Sequence, residues 1–127
     1  MDQLFEQTER LLEGTSMEFQ RSQLHSLDWS NRLTGLKGAR GTGKTTLLLQ
    51  WLKQQNLPVD KAVYCSLDDL YFSANTLKET ARQFYKNGGK ILLLDEVHKY
   101  KNWSAEIKNI YDFFPGLKVL FTGSSII

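Results

Sequence analysis

The chain has 127 residues, enough for one domain with a single core and too few for two. Hydrophobic residues make up 41% and charged residues 24%, the balance of a folded globular chain rather than a disordered one. Its 16 basic and 14 acidic residues leave a net charge of +2, so composition makes no electrostatic case for DNA or RNA as a partner.

The beginning, Met1-Asp2-Gln3-Leu4, carries acid and lacks the apolar core of a secretory signal, and apolar runs such as 91–94 are too short to cross a membrane. The single Cys65 can form no internal disulfide and is expected to be a small core thiol. A cytoplasmic protein without a membrane segment is the expectation. In that setting the glycosylation sequon at Asn102-Trp103-Ser104 carries no meaning.

Leu4, Phe5, Thr8, Leu11 and Leu12 recur at helical spacing, which predicts a helix over 2–13 that stops at Gly14. Ser16 is positioned to cap a second helix running through Phe19, Gln23, Leu24 and Leu27 towards Trp29. Residues 1–30 therefore read as a helical lead-in, and 31–127 as the core.

The core opens on a short strand, Arg32 to Lys37, followed by Gly38-Ala39-Arg40-Gly41-Thr42-Gly43-Lys44-Thr45. This fits G-x-x-x-x-G-K-[ST] at every specified position. A triphosphate demands several donors at close range without bulk in the way. Gly41 and Gly43 can adopt backbone angles closed to other residues, so successive amides turn inward as an anion nest. Thr45 and Thr46 then open a helix to Gln55 whose unpaired N-terminal amides and dipole point at the same anion. Lys44 can reach the β- and γ-phosphates, and the Thr45 hydroxyl can ligate Mg²⁺. Arg40 is a further phosphate contact or a solvated side chain. Phe19 or Trp29 could touch the base, against the plainer reading that both pack in the core.

After a turn at 56–60, a strand over 61–66 ends at Asp68 and Asp69, read as a solvated pair with a place near the metal as the alternative. Ser73 is expected to cap a helix buried through Leu77, Ala81, Phe84 and Tyr85, with Asn87-Gly88-Gly89 as its stop. Ile91 to Leu94 then form a strand buried on both faces, as in a parallel sheet covered by helices. It ends in two acids. Asp95 suits the carboxylate that holds Mg²⁺ opposite Thr45, and Glu96 the general base that readies a water for the γ-phosphate.

His98 has no second His or Cys at ligand spacing and reads as structural or substrate-adjacent. Ser104 is expected to cap a helix with Ile107, Ile110, Tyr111 and Phe114 on its buried face, ended by Pro115-Gly116. A fourth strand, 117–122, leads to Gly123-Ser124-Ser125, where Ser124, or else Thr122, could bond the attacking water or the γ-phosphate, against the plainer reading of a strand-end turn.

Gly-x-x-x-x-Gly-Lys-Thr, a buried strand ending Asp95-Glu96 and a strand ending in small polar residues resemble the AAA-type division of P-loop ATPases. Leu94-Asp95-Glu96-Val97-His98-Lys99, with Asn102-Trp103, Ile107-Lys108 and 120–125, resembles a bacterial and archaeal family of AAA-like ATPases that carry a C-terminal domain of unknown function. The resemblance implies a three-layer α/β fold with a mostly parallel sheet, its four strands in the order 2-3-4-1 and a fifth expected beyond strand one. The chain would then stop before strand five, leaving the loop-bearing strand at an open edge that invites pairing with another chain.

It also implies ATP and Mg²⁺ as ligands, with Lys44 and Thr45 on phosphate and metal, Asp95 as second metal carboxylate, Glu96 as base and Ser124 as γ-phosphate sensor. The C-terminal part of the same protein and a homo-oligomer are the implied partners. No arginine follows Arg82, so the arginines that stabilise phosphoryl transfer would lie elsewhere and the chain alone would turn over slowly. A regulatory ATP-binding switch and a P-loop kinase are the alternatives. Glu directly after the strand-end Asp favours water as acceptor over a second substrate.

Overall fold

The computed structural model describes residues 1–18, 24, 27–37 and 43–124. Its elements are α1 (Asp2–Glu13), β1 (Leu33–Lys37), α2 (Lys44–Gln55), β2 (Ala62–Ser66), α3 (Tyr71–Ala74), α4 (Leu77–Lys86), β3 (Ile91–Asp95), α5 (Trp103–Phe113) and β4 (Lys118–Gly123). All four strands are parallel and lie in the order β1-β4-β3-β2, the order expected.

Parallel neighbours require crossover connections, and these carry the helices onto the two faces. The strand period of two divides the side chains accordingly. Tyr64, Leu93 and Leu120 face α2, where Leu47, Leu48, Trp51 and Leu52 close the layer. Val63, Cys65, Leu92, Leu94 and Val119 face the other way, against Leu77, Ala81 and Phe84 of α4 and Ile107 and Ile110 of α5. The run Ile91 to Leu94 thus feeds both cores in alternation, and emptying one such position, as in Leu93→Ala, costs about 2–5 kcal/mol.

The two sheet edges differ. Along β2 lies α1, whose Thr8 hydroxyl accepts the Tyr64 amide at 2.9 Å and donates to the Leu4 carbonyl at 2.7 Å. One hydroxyl therefore closes an outward-facing strand amide that would otherwise be a pairing site. At the opposite edge, β1 ends the sheet, and the buried Thr34 hydroxyl has no hydrogen-bond partner among the described residues. β1 lies close against its one neighbour, since a Cβ on Gly35 would come within 2.7 Å of the Phe121 ring.

Two expectations about helix ends are corrected. Ser73 lies inside α3, its hydroxyl bonded to the Leu70 carbonyl, and the N-cap of α4 is Thr76, which accepts the Glu79 amide at 3.1 Å. Thr76-x-x-Glu79 is the better capping pattern, and the first two amides of α4 are taken by the Tyr100 hydroxyl and the Glu106 carboxylate. Ser104 likewise falls within α5, behind a left-handed Asn102 at φ 65°. Asn adopts that conformation at little cost, so no side-chain cap is needed to turn the chain there.

Tyr111 is exposed rather than buried. Its ring carries the Arg32 guanidinium at 4.2 Å, and Arg32 donates to the carbonyls of Tyr111 and Phe114 at the C-terminal end of α5 and of Leu117 just before β4. The helix expected after Ser16 falls largely outside the described residues. Within them, the Ser16 hydroxyl accepts the Glu18 amide, and Leu24 is buried against α2.

Candidate functional site

Strands of a parallel sheet all end on the same side, so the polar residues at their carboxyl ends meet there. β3 delivers Asp95, 2% exposed, and β4 delivers Thr122, fully buried beside it. The helix α2 starts above them. Gly43, at φ 84°, is its left-handed N-cap, and the Gly43 carbonyl accepts the first helical bond from the Leu47 amide at 3.0 Å. That turn sets Lys44 and Thr45 in the first turn of α2, over the end of β3.

The Asp95 carboxylate is surrounded by donors. The Thr45 hydroxyl reaches Oδ2 at 2.5 Å and the Tyr64 hydroxyl reaches the same oxygen at 2.6 Å. On Oδ1, the Thr122 hydroxyl and the Glu96 amide complete the set, the amide at 3.1 Å. Three hydroxyls and an amide occupy the lone pairs a carboxylate offers, which fixes its plane. Burial, and then the negative charge of Asp95, hold the Tyr64 phenol far above its ordinary range, so it acts here as a proton donor.

Glu96 follows in a different setting. Its backbone is left-handed, φ 56° and ψ 43°, held by its amide on Asp95 and on the Thr122 hydroxyl. This aims its side chain away from the Asp95 cage and towards His98, whose Nε2 lies 3.4 Å from Oε2. Oε2 is buried and makes no hydrogen bond among the described residues. The same ring meets Ser124, which donates its amide to Nδ1 at 3.2 Å and sets its hydroxyl 3.4 Å from Nε2.

Of the residues singled out in the sequence, the structure brings Thr45 onto Asp95, sets Thr46 in the same helical turn and draws Glu96, His98 and Ser124 into one corner. Gly38, Ala39, Arg40, Gly41 and Thr42 lie outside the described residues, as does Phe19. Trp29 is stacked on Trp51 of α2, centroids 5.4 Å apart, with its indole N–H on the Leu24 carbonyl, a packing role. Asp69 accepts the Tyr71 amide at the start of α3, and Asp68 is exposed.

Tyr64 was not anticipated. The available signal was a phenol within an otherwise apolar strand, which needs a polar partner when buried. Thr122, named as the alternative to Ser124, bonds the carboxylate itself.

A family described as "AAA domain" matches residues 30–127. No curated protein matches the chain. Among solved structures, PCH-2 from C. elegans aligns with a TM-score of 0.52 and 17% identity, over 98% of this chain and 37% of that one. AMPPCP-bound DnaA from Aquifex aeolicus aligns with a TM-score of 0.52 and 20% identity, over 91% of this chain and 37% of that one. The chain thus spans little more than a third of either protein, and at these identities the likeness is one of fold. With the family match covering the sheet, the loop and the acid pair together, this chain belongs to the AAA domain family.

Proposed function

We propose that the chain binds ATP with Mg²⁺ and hydrolyses it to ADP and phosphate, the energy passing to a partner domain. The observation that carries this reading is the contact of Thr45 with Asp95 at the carboxyl end of the sheet, directly below a glycine-turned helix N-terminus. The donor set suits the metal. Thr45 Oγ1 and Asp95 Oδ2 are hard oxygens side by side, and Mg²⁺ takes one or two such protein ligands beside water and phosphate. Bound there, the metal would neutralise charge on the phosphate oxygens as the terminal P–O bond breaks.

The chain's own groups do the rest. Amides of residues 38–46 and the Lys44 ammonium hold the phosphates, with Arg40 as an additional contact. Tyr64 and Thr122 hold the Asp95 carboxylate in a preset orientation, so little reorganisation is needed when its partner changes. Glu96 orients the attacking water and takes its proton, and Ser124 bonds the γ-phosphate or that water. Residues 31–127 serve as the nucleotide core and 1–30 as a helical lead-in. The same reading includes a C-terminal part of the protein, a homo-oligomer and a cytoplasmic setting.

The test is a titration of MgATP, MgGTP and a non-hydrolysable analogue, recording affinity and phosphate release together. Lys44→Ala is expected to lose binding, and Glu96→Gln to bind without releasing phosphate. Unchanged MgATP affinity in Lys44→Ala would overturn the reading. No arginine follows Arg82, so turnover is expected to lie 10³- to 10⁵-fold, on the order of 4–7 kcal/mol, below that reached with an arginine supplied in trans.

A further inference from the structure

We infer that His98 is a positioning residue that links Glu96 to Ser124, so that a shift of the β4 tip is felt at the Glu96 carboxylate. The inference deepens the proposed function and rests on it for its meaning, but its geometry stands without nucleotide. Three observations meet at one ring. Among the described residues Glu96 Oε2 is buried without a hydrogen bond, and such a carboxylate oxygen is costly unless a donor is at hand. His98 Nε2 lies 3.4 Å from that oxygen. Ser124 approaches both nitrogens, its amide on Nδ1 at 3.2 Å and its hydroxyl 3.4 Å from Nε2.

The Ser124 amide decides the tautomer. A backbone N–H can only donate, so Nδ1 must carry the lone pair and the ring proton belongs on Nε2. Nε2–H then faces Glu96 Oε2 and the Ser124 hydroxyl, and its single proton is shared between them. Both separations are long for a hydrogen bond, so the contact orients without locking. The left-handed backbone at Glu96 makes the arrangement possible, because it turns the side chain out of the Asp95 cage towards the ring.

Moving Ser124 removes the donor at Nδ1, so the ring is no longer confined to the Nε2–H tautomer and its hold on Glu96 loosens. In the sequence the three residues read as a base, a sensor and a structural or substrate-adjacent histidine. In space they form one relay, with the histidine in the middle.

The test uses NMR of the nucleotide-free chain, which has only two histidines to separate, His25 and His98. Ring nitrogen shifts for His98 are expected to report the Nε2–H tautomer. Glu96→Ala should move the Ser124 amide resonance in the parent chain and leave it unmoved in a His98→Phe background. His98→Gln, which keeps an acceptor and a donor at the tip, should restore part of that response. An Nδ1–H tautomer, or a Ser124 response to Glu96→Ala that persists in His98→Phe, would overturn the link. Because no nucleotide is present, that result is independent of the MgATP titration, which alone decides the ATPase reading.

Discussion

Asp95 and Glu96 are consecutive in the chain and live in opposite surroundings. Asp95 is buried at the end of β3 with hydroxyls from β2, β4 and α2 and one amide spending their hydrogen bonds on it. Glu96 has a left-handed backbone, one oxygen without a hydrogen bond among the described residues and a loose approach to a histidine. The first carboxylate is over-determined and the second is held lightly. A metal ligand profits from a fixed plane, whereas a group that must take a proton and give it back profits from freedom to move.

The largest break in this contrast is expected from Asp95→Ala, which takes the acceptor from two buried hydroxyls, Tyr64 and Thr122, and from the exposed Thr45 hydroxyl and the Glu96 amide. Unfolding by urea should show a loss of about 3 kcal/mol, with the magnesium dependence of ATP binding abolished. Tyr64→Phe removes a single donor without changing shape and should cost about 1 kcal/mol, leaving the carboxylate plane less defined and ATP binding in need of more Mg²⁺. If Tyr64→Phe matched Asp95→Ala, the cage would be a packing effect rather than a set of independent bonds.

On the other side of the contrast, Glu96→Gly should be more stable than Glu96→Ala by about 1 kcal/mol in the same urea experiment. The reason is the left-handed backbone, which glycine adopts freely and alanine does not. Equal stabilities would mean that the turn relaxes when the side chain is lost.

The smallest effect concerns Cys65, next to Tyr64 on β2 but facing the apolar layer of α4 and α5. Burial pushes its thiol up to about 12, so the thiolate is absent from the native chain at pH 8 and a disulfide reagent should label it only on unfolding. The unfolded thiol ionises first, so this residue's contribution to stability is intact below about pH 9 and declines as the pH rises towards 12.

The parts of this molecule that local pattern dictates were readable in advance. Ile91 to Leu94 announce a strand covered on both faces because a short aliphatic run between a Gly-Gly stop and an acid pair suits a buried parallel strand, and the Gly43-Lys44-Thr45 junction marks a helix start through backbone chemistry alone. The four-strand order came from resemblance and agrees with the sheet observed. What escaped was set by register between strands. Tyr64 faces Asp95 because Ser66 pairs with Asp95 across β2 and β3, which places the phenol one pleat below the carboxylate on the same face. No spacing within one segment encodes that.

The same holds at the helix starts. Ser73 and Thr76 are both competent caps, and the choice between them falls to Tyr100 and Glu106, more than twenty residues on, which supply the neighbouring amides. His98 could not be tied to Ser124 until the Val97–Lys99 turn was seen to bring its ring beneath the end of β4.

The pair of indoles behind the sheet has an optical consequence. Trp29 and Trp51 lie nearly parallel at 5.4 Å and 23°, close enough for their excited states to couple and split into a two-signed far-ultraviolet band. Trp103 is elsewhere, paired with Phe121. A circular dichroism melt followed at that band would register when the segment before β1 lifts from α2, separately from the loss of helix as a whole. The chain carries its own label for that one step.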